Sequence, residues 1–286
     1  VLNEWFGRTV IYSDRRFAYE EAQEIIEGKG GDLKEEILTL NDLAQKMRAD
    51  RFRAGAIGFS RKEAKFHLDD KGRPTGVYFK EQKEANQLIE EFMLLANRRV
   101  AEFIGRQRGR QRTMVYRVHD EPNSDKLIRF QSFILRFGYY FKADKGKAVA
   151  KAMNRLMDKI RGKVEENAIA TLAVRTMSKA FYTTDNIGHY GLAFPYYTHF
   201  TSPIRRYPDM MVHRLLAGYL AGAKSPDKRS MESLCEQSSE REEVAAAAER
   251  ASIKYKMTEF MVDKVGMEFD GHISSLTEWG IYVELD

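Results

Sequence analysis

Cysteine is nearly absent from this sequence, since Cys235 is the single one among 286 residues. One cysteine excludes an internal disulfide and any cysteine-rich zinc site, and this usage is typical of a reducing cytoplasm. Cys235 lies in a helical pattern, so we interpret it as a packed, inert thiol. The sequence also lacks an apolar run approaching the roughly 20 residues that a membrane-spanning helix needs. We therefore predict a cytoplasmic, globular protein rather than a membrane protein or a disordered chain.

A strong excess of one charge is lacking as well. The 47 basic and 42 acidic residues leave a net charge of +5 and a pI near 9.0. A bias this small argues for nucleic acid only where the basic residues are concentrated. The chain starts at Val1 rather than Met and stops within the strand-like pattern "GIYVELD". We expect it to be a piece of a longer polypeptide.

The first hundred residues predict helices interrupted by one β-hairpin. A short strand is expected at Thr9 to Tyr12, then helices from about Tyr19 to Glu27 and from about Leu33 to Phe52. Alternation on both sides of Asp70-Lys71-Gly72 predicts a hairpin, which makes Asp69 and Asp70 turn residues. The next helix is closed by Gly105 and has one apolar face, with the polar residues Asn86, Glu90 and Asn97 on the other side.

The rest of the chain predicts mainly helix until its last twenty residues. Five arginines between Arg106 and Arg117 have no acid among them, which fits a solvated linker or a phosphate-facing loop equally well. Residues 120 to about 182 are mostly helical in pattern, and further helices run from Asp209 to about Leu220 and onward to about Val262. After that point the period changes to two, which is typical of the first strands of a small barrel.

One stretch combines aromatic residues with three histidines and three arginines: "HYGLAFPYYTHFTSPIRRYPDMMVHR", residues 189 to 214. Pro208 suits the first turn of a helix, which places Arg205 and Arg206 just outside a helix N-terminus, where backbone N–H groups favour an anion. Aromatic faces and a basic groove together suit single-stranded nucleic acid. The alternative is that both arginines pair with acids such as Asp209 or Glu249.

The three histidines of that stretch, His189, His199 and His213, do not have the spacing of a zinc site. We expect them to make hydrogen bonds or packing contacts instead.

This stretch resembles the signature of the ribonuclease II and ribonuclease R family, exoribonucleases with an RNB catalytic domain, and its "HFTSPIRRYPD" favours the ribonuclease R branch. Further similar segments occur in the family's order: "GRTVIYSDRRFAYEEAQ", "RAGAIGFSRKEAKFHLD", "LIEEFMLLANRRVAEFIG", "YRVHDEPN" and "AAAAERASIKYKMTEFM". The resemblance implies an α+β fold, a partial RNB domain with helices around a mixed sheet over 1–262. Residues 263–286 are similar to the start of an S1 domain, an OB-type β-barrel, with about two of its five strands.

The resemblance also implies roles for individual residues. Arg205 would hold a phosphate beside the scissile bond, and Glu249 would be a second catalytic residue. Phe59 would stack on the 3′-terminal bases, while Tyr19 and Glu90 would lie near a ribose, whose 2′-hydroxyl both donates and accepts hydrogen bonds. The other RNA-binding residues predicted in the motif are His199, Ser202, Arg206, Tyr207 and Arg214.

One part of the family's chemistry has no counterpart here. Two-metal phosphodiester hydrolysis needs clustered carboxylates, which the family supplies from closely spaced aspartates upstream of the matching segments. No metal ligand is predicted in this chain, because its aspartates are scattered singly or lie in a turn: Asp69, Asp70, Asp120, Asp185 and Asp209.

The implied parent is a Mg²⁺-dependent, processive 3′→5′ exoribonuclease that releases nucleoside 5′-monophosphates from single-stranded RNA. The chain alone is then expected to be inactive. An alternative is a non-catalytic, RNB-like RNA-binding protein, and a third is a helical protein whose basic surface is merely solvated. Steep loss of RNA affinity with salt would separate the first two from the third.

Overall fold

The computed structural model describes residues 3–58, 63–107, 112–141, 143 and 145–285. The helices are α1 (Tyr19–Ile26), α2 (Lys34–Ala54), α3 (Glu84–Gly105), α4 (Ser124–Leu135), α5 (Gly146–Ile160), α6 (Glu166–Thr176), α7 (Tyr207–Leu220) and α8 (Lys228–Met261). The strands are β1 (Glu63–Leu68), β2 (Pro74–Lys80), β3 (Tyr116–Val118), β4 (Phe181–Thr183), β5 (Gly271–Thr277) and β6 (Gly280–Leu285). Short 3₁₀ helices span Tyr190–Leu192 and Val262–Lys264.

The strands form three separate two-stranded antiparallel sheets, β1–β2, β3–β4 and β5–β6. The predicted mixed sheet is therefore wrong for the described residues, in which a parallel contact occurs only as the isolated bridge between His119 and His189. The predicted hairpin is confirmed as β1–β2, with the turn at 69–72 closed by hydrogen bonds to the Asp69 carboxylate. The strands β5 and β6 also form a hairpin, and the described residues after Met261 contain no further strand.

The helices follow the sequence pattern closely, with small shifts at their ends. Helix α7 begins at Tyr207 rather than Asp209, and Pro208 occupies its first turn as expected. Helix α8 is 34 residues long and ends at Met261, as the pattern predicted. The predicted strand at Thr9 to Tyr12 is wrong: these residues are exposed and have no strand partner among the described residues, so strand-favouring residue types did not suffice to form a strand.

Two hydrophobic clusters organise the molecule. The first packs α3 against β3, β4, α7 and Cys235 of α8; Cys235 is fully buried, and burial raises the pKa of its thiol to about 12, as expected for an inert thiol. The second cluster holds α4, α5 and α6 together. Tyr196 and Phe200, between β4 and α7, pack against the first cluster, which places the motif at 189–214 beside it. None of the described helices has the length and apolarity of a membrane span.

Candidate nucleic-acid interface

The segment from Tyr197 to Arg206 has no helix or strand of its own and is held in place by side chains of neighbouring elements. Asn97 of α3 is its main anchor on one side: Oδ1 accepts hydrogen bonds from the backbone N–H of Phe200 at 2.9 Å and of Thr201 at 3.2 Å. The Nδ2 of Asn97 donates to the Tyr197 hydroxyl at 3.1 Å. The prediction that Asn97 faces away from the core is wrong, because these partners make its burial favourable.

Helix α7 anchors the same segment from the other side. Asp209 is completely buried, and its Oδ1 accepts the Ser202 N–H at 2.7 Å and Nη2 of Arg206 at 2.8 Å. One turn further along, Nε2 of His213 lies 2.9 Å from the Phe200 carbonyl oxygen, and the two rings stack with centroids 3.9 Å apart. Because α7 starts at Tyr207, the contacts made by Asp209 and His213 hold the turn from Ser202 to Arg206 against the N-terminus of this helix.

Arg205 projects from this fixed turn into solvent. Its side chain is exposed and forms no ion pair or hydrogen bond with any other described residue. Arg206 behaves differently, because it pairs with Asp209. The alternative prediction, that both arginines pair with acids, is therefore confirmed for Arg206 and wrong for Arg205. An unpaired guanidinium beside a helix N-terminus is suited to hold a phosphate group.

Three buried polar atoms at the same turn lack partners among the described residues: Thr201 Oγ1, Arg206 Nε and Asp209 Oδ2. Buried polar groups in folded proteins nearly always have partners, so unpaired ones call for an explanation. These three atoms are one donor, one acceptor and one hydroxyl, and all belong to the residues that form or hold the turn beside Arg205.

A second polar network lies behind the turn. The Tyr182 hydroxyl of β4 is 2.8 Å from Nδ1 of His199. Arg117 of β3 stacks over the Tyr182 ring at 4.6 Å and forms a two-pronged ion pair with Glu242 of α8, at 2.5 and 3.1 Å. The network therefore joins α8, β3 and β4 to the segment that carries Arg205.

Two histidines of the motif, His189 and His199, are held uncharged at neutral pH by their burial. Burial, reinforced by the charges of Arg206 and Arg117, lowers the pKa of His199 to about 2. Burial and the neighbouring His119 lower the pKa of His189 to about 3, and these two rings stack at 5.1 Å. The expected hydrogen-bonding and packing roles of His189, His199 and His213 are confirmed.

The other predicted site residues are spread over several elements. Tyr207 and Arg214 are exposed on α7. Tyr19 is partly exposed at the start of α1, with Lys80 Nζ 5.9 Å from its ring centroid. Glu90 of α3 lies 3.7 Å from Nη2 of Arg51, which also pairs with the buried Glu91. Phe59 lies outside the described residues.

Glu249 lies on an exposed part of α8 and has no side-chain partner among the described residues. It follows Glu242 by seven residues and precedes Lys256 by seven, so the three share one face of the helix. Glu242 pairs with Arg117, and Lys256 donates to the Gly72 carbonyl oxygen at 2.6 Å. This face of α8 thus runs from the network beside Arg205 to the β1–β2 hairpin, and Glu249 lies between the two contacts.

Sequence reasoning missed four residues that support the site: Asn97, Arg117, Glu242 and a buried Asp209. Asp209 was considered only as a neutralising partner of the arginines. The one available signal was its position three residues after Arg206 in the first turn of the helix. Nothing in the local pattern of the other three indicates that they meet the motif, since Asn97 and Phe200 are 103 residues apart.

The described residues do not provide a metal centre. No three or more of their His, Cys, Asp and Glu side chains are grouped so that they could hold a metal ion. Oδ1 of Asp209 accepts hydrogen bonds from a backbone N–H and a guanidinium, and Asp209 belongs to no such group among the described residues.

Comparison with known proteins identifies the family. The RNB domain model matches residues 1–222. Ribonuclease R 1 of Lactococcus lactis is 35% identical over 298 residues, covering 100% of this chain and 36% of the relative. Ribonuclease R of Aquifex aeolicus is 34% identical, covering 97% of this chain and 40% of the relative.

The fold agrees with these matches. A solved structure of Mycoplasma genitalium RNase R in complex with ribose methylated single-stranded RNA superposes with a TM-score of 0.84 at 26% identity, covering 95% of this chain and 44% of that one. The chain thus spans well under half the length of these relatives. Exoribonucleases of this family are metal-dependent in general. On these findings the chain belongs to the RNB-domain family and is similar to ribonuclease R.

Proposed function

We propose that this chain is the substrate-holding part of a processive 3′→5′ exoribonuclease that degrades single-stranded RNA to nucleoside 5′-monophosphates. The observation that carries the proposal is the unpaired guanidinium of Arg205, presented beside the N-terminus of α7 by a turn with fixed geometry. Arg205 would bind a backbone phosphate, and Glu249 would act near the same bond. To release one nucleotide at a time, the substrate-binding part of the enzyme must hold the scissile phosphate in a fixed position.

RNA is the ligand that best suits the surroundings of Arg205. Ser202 and Tyr207 lie next to the N-terminus of the same helix, and Arg214 lies about two turns further along it. Aromatic rings and basic groups are the two components of single-strand binding. Tyr19, Phe59 and Glu90 would contact bases and ribose further along the strand, and His199 and Arg206 would line the turn. The solved Mycoplasma genitalium relative carries single-stranded RNA, which supports this choice of ligand.

The metal of the reaction has no site among the residues described in this structure. We propose that the parent binds Mg²⁺ through carboxylates outside this chain, and that residues 263–286 begin an S1 domain. The chain's own contribution is binding and orientation of RNA, with Arg205 adding positive charge where the scissile phosphate lies.

The second candidate function is RNA binding without cleavage by an RNB-like protein. The observation that favours it is the same absence of grouped metal ligands in the described part of the chain. The sequence of the parent upstream of Val1 separates the two functions. Closely spaced aspartates there would indicate the enzyme, and other residues in their place would indicate the binding protein.

The direct test of the proposal is the binding of fluorescein-labelled single-stranded RNA by this chain and its Arg205→Ala variant. We expect the variant to bind about 10-fold more weakly, as is typical when a charged hydrogen bond is lost. The slope of log affinity against log salt should also fall by about 0.7, the value for one phosphate contact on a single strand.

Arg161→Ala is the matched control, because Arg161 is exposed on the second cluster's surface, pairs with Asp158 at 3.0 Å and is remote in sequence from the motif. It removes the same charge and should leave both the affinity and the slope unchanged. Equal binding by Arg205→Ala and the unchanged chain would contradict the proposal.

A further inference from the structure

A groove runs along α7 beside the candidate phosphate site. One wall is a single face of α7, and the other is formed by the 223–226 loop and the start of α8. Its volume is about 280 Å³, and its described lining residues are Tyr207, Met211, Arg214, Leu215, Gly218, Tyr219, Ala223, Lys224, Pro226, Met231 and Leu234. Pockets that enclose a whole drug-sized ligand measure about 300–1,000 Å³, so this groove suits one ring system.

The charge of the groove has one sign. Arg214 and Lys224 are its ionisable cations, both are exposed, and neither forms an ion pair with a described residue. No acidic side chain is among the described lining residues. A third cation, Arg112, stacks on the Tyr219 ring at 4.6 Å. An apolar floor with a purely basic rim is complementary to a flat ring that carries a phosphate.

The groove continues from the Arg205 site. Tyr207 belongs to both, since it is the first residue of α7 and also lines the groove, and half of its surface is exposed. Arg214 follows Tyr207 by seven residues, which places it about 10 Å further along the helix axis. A nucleotide chain whose phosphate lies at Arg205 would therefore reach the groove with its next residues.

We propose that this groove is a base-binding subsite for single-stranded RNA. One base lies between Met211, Leu215 and Leu234, while Arg214 and Lys224 contact the adjoining backbone phosphate. The floor has no described polar side chain directed to a particular base edge, so the subsite accepts any base by stacking and burial rather than by sequence. This inference rests on the proposed function, because it takes RNA as the ligand.

Gly218 lines the groove and has room for a Cβ, so a side chain can be introduced there. A Cβ at this position would meet only the Ala223 side chain, at the ordinary contact distance of 3.6 Å. Alanine and leucine are both better helix formers than glycine, so neither replacement weakens α7. Gly218→Ala adds a methyl group and leaves the groove open, whereas Gly218→Leu places an isobutyl group inside it.

The experiment compares the two variants with single-stranded RNA that contains 4-thiouridine. After irradiation, crosslinked peptides are mapped by mass spectrometry, and affinity is measured on the same samples. We expect Gly218→Ala to retain crosslinks to the groove at Tyr207, Met211 or Tyr219. Gly218→Leu should lose them and bind RNA 3-fold to 10-fold more weakly.

Three results would overturn the inference while Arg205→Ala still weakens binding: equal affinities of the two Gly218 variants, crosslinks that map outside the groove, or a change in oligomeric state with Gly218→Leu that shows a second copy of the chain in the groove. If Arg205→Ala also leaves RNA binding unchanged, the proposed function itself fails. The Arg205 variant therefore distinguishes failure of the subsite from failure of the function.

Discussion

At the scale of single residues, Asp209 determines how Arg205 is presented. Its carboxylate is completely buried and binds both ends of the turn that contains Arg205, at the Ser202 N–H and at the Arg206 guanidinium. Arg206 neutralises this buried charge, which leaves Arg205 as the cation that faces solvent. Asp209 is thus a positioning residue, and its effect on a ligand should pass through Arg205.

Asp209→Asn tests this dependence. Asparagine keeps an acceptor for Ser202 but removes the charge that holds Arg206, so we expect unfolding to become easier by about 1–3 kcal/mol. RNA affinity should fall several-fold in the Asp209→Asn variant, as measured by fluorescence anisotropy. In the Arg205→Ala background the same replacement should change the affinity little, because the two residues act as one unit.

Glu102→Gln is the matched control for Asp209→Asn. Glu102 is a buried carboxylate on α3 that pairs with Arg98, Arg99 and Arg106. It should cost similar stability and cause no loss of RNA affinity. Additive effects of Asp209→Asn and Arg205→Ala on the free energy of RNA binding would show that Asp209 does not act through Arg205.

At the scale of elements, helix periodicity predicted far more than β-alternation did. The apolar spacing of α3 and the start of α7 at Pro208 were readable because each depends on neighbours within one or two turns. The burial of Asn97 could not be predicted from the sequence, since it depends on contacts with Phe200 and Thr201, which are distant in sequence. Residues 9–12 are of types that favour strands and still form no strand, because a strand also needs a partner.

The segment from β4 to α7 carries two histidines whose burial links its stability to pH. In the unfolded chain both have pKa values near 6.5, whereas in the fold the pKa of His189 is lowered to about 3 and that of His199 to about 2. Below about pH 6.5 the unfolded chain binds more protons than the folded one. The stabilisation is therefore complete above that pH and is lost as the pH falls.

Urea unfolding between about pH 7 and about pH 5 measures this loss, which should approach about 1.4 kcal/mol per pH unit for each histidine. His199→Gln should remove about half of the dependence in this range and leave the part due to His189, even if it also lowers the stability at neutral pH through loss of its Tyr182 contact. His67→Gln on the exposed β1–β2 hairpin is the control and should keep the original slope. A pH-independent free energy of unfolding in the unchanged chain would refute the linkage.

At the scale of the whole molecule, the sequence predicted the family and the motif, while the arrangement of the site came from the fold. The segment at 189–214 carries the resemblance together with five further segments in the family's order, and the RNB domain model matches residues 1–222. The polar contacts of Arg117 with Glu242 and of Asn97 with Phe200 are long-range and have no local pattern. The mixed sheet was expected from the resemblance, yet the described strands form separate hairpins and one short pair.

An assay of this chain alone tests the proposal that it binds RNA but does not cleave it. We expect a denaturing-gel time course with 5′-labelled single-stranded RNA and Mg²⁺ to show no shortening by this chain, although the same sample binds the RNA. The physical reason is that in-line hydrolysis needs metal ions at both the attacking and the leaving oxygen, and the described residues offer no group of ligands for them. The intact parent, assayed in parallel, should shorten the RNA one nucleotide at a time. Shortening by this chain that disappears on addition of EDTA would instead place a functional metal site within these 286 residues.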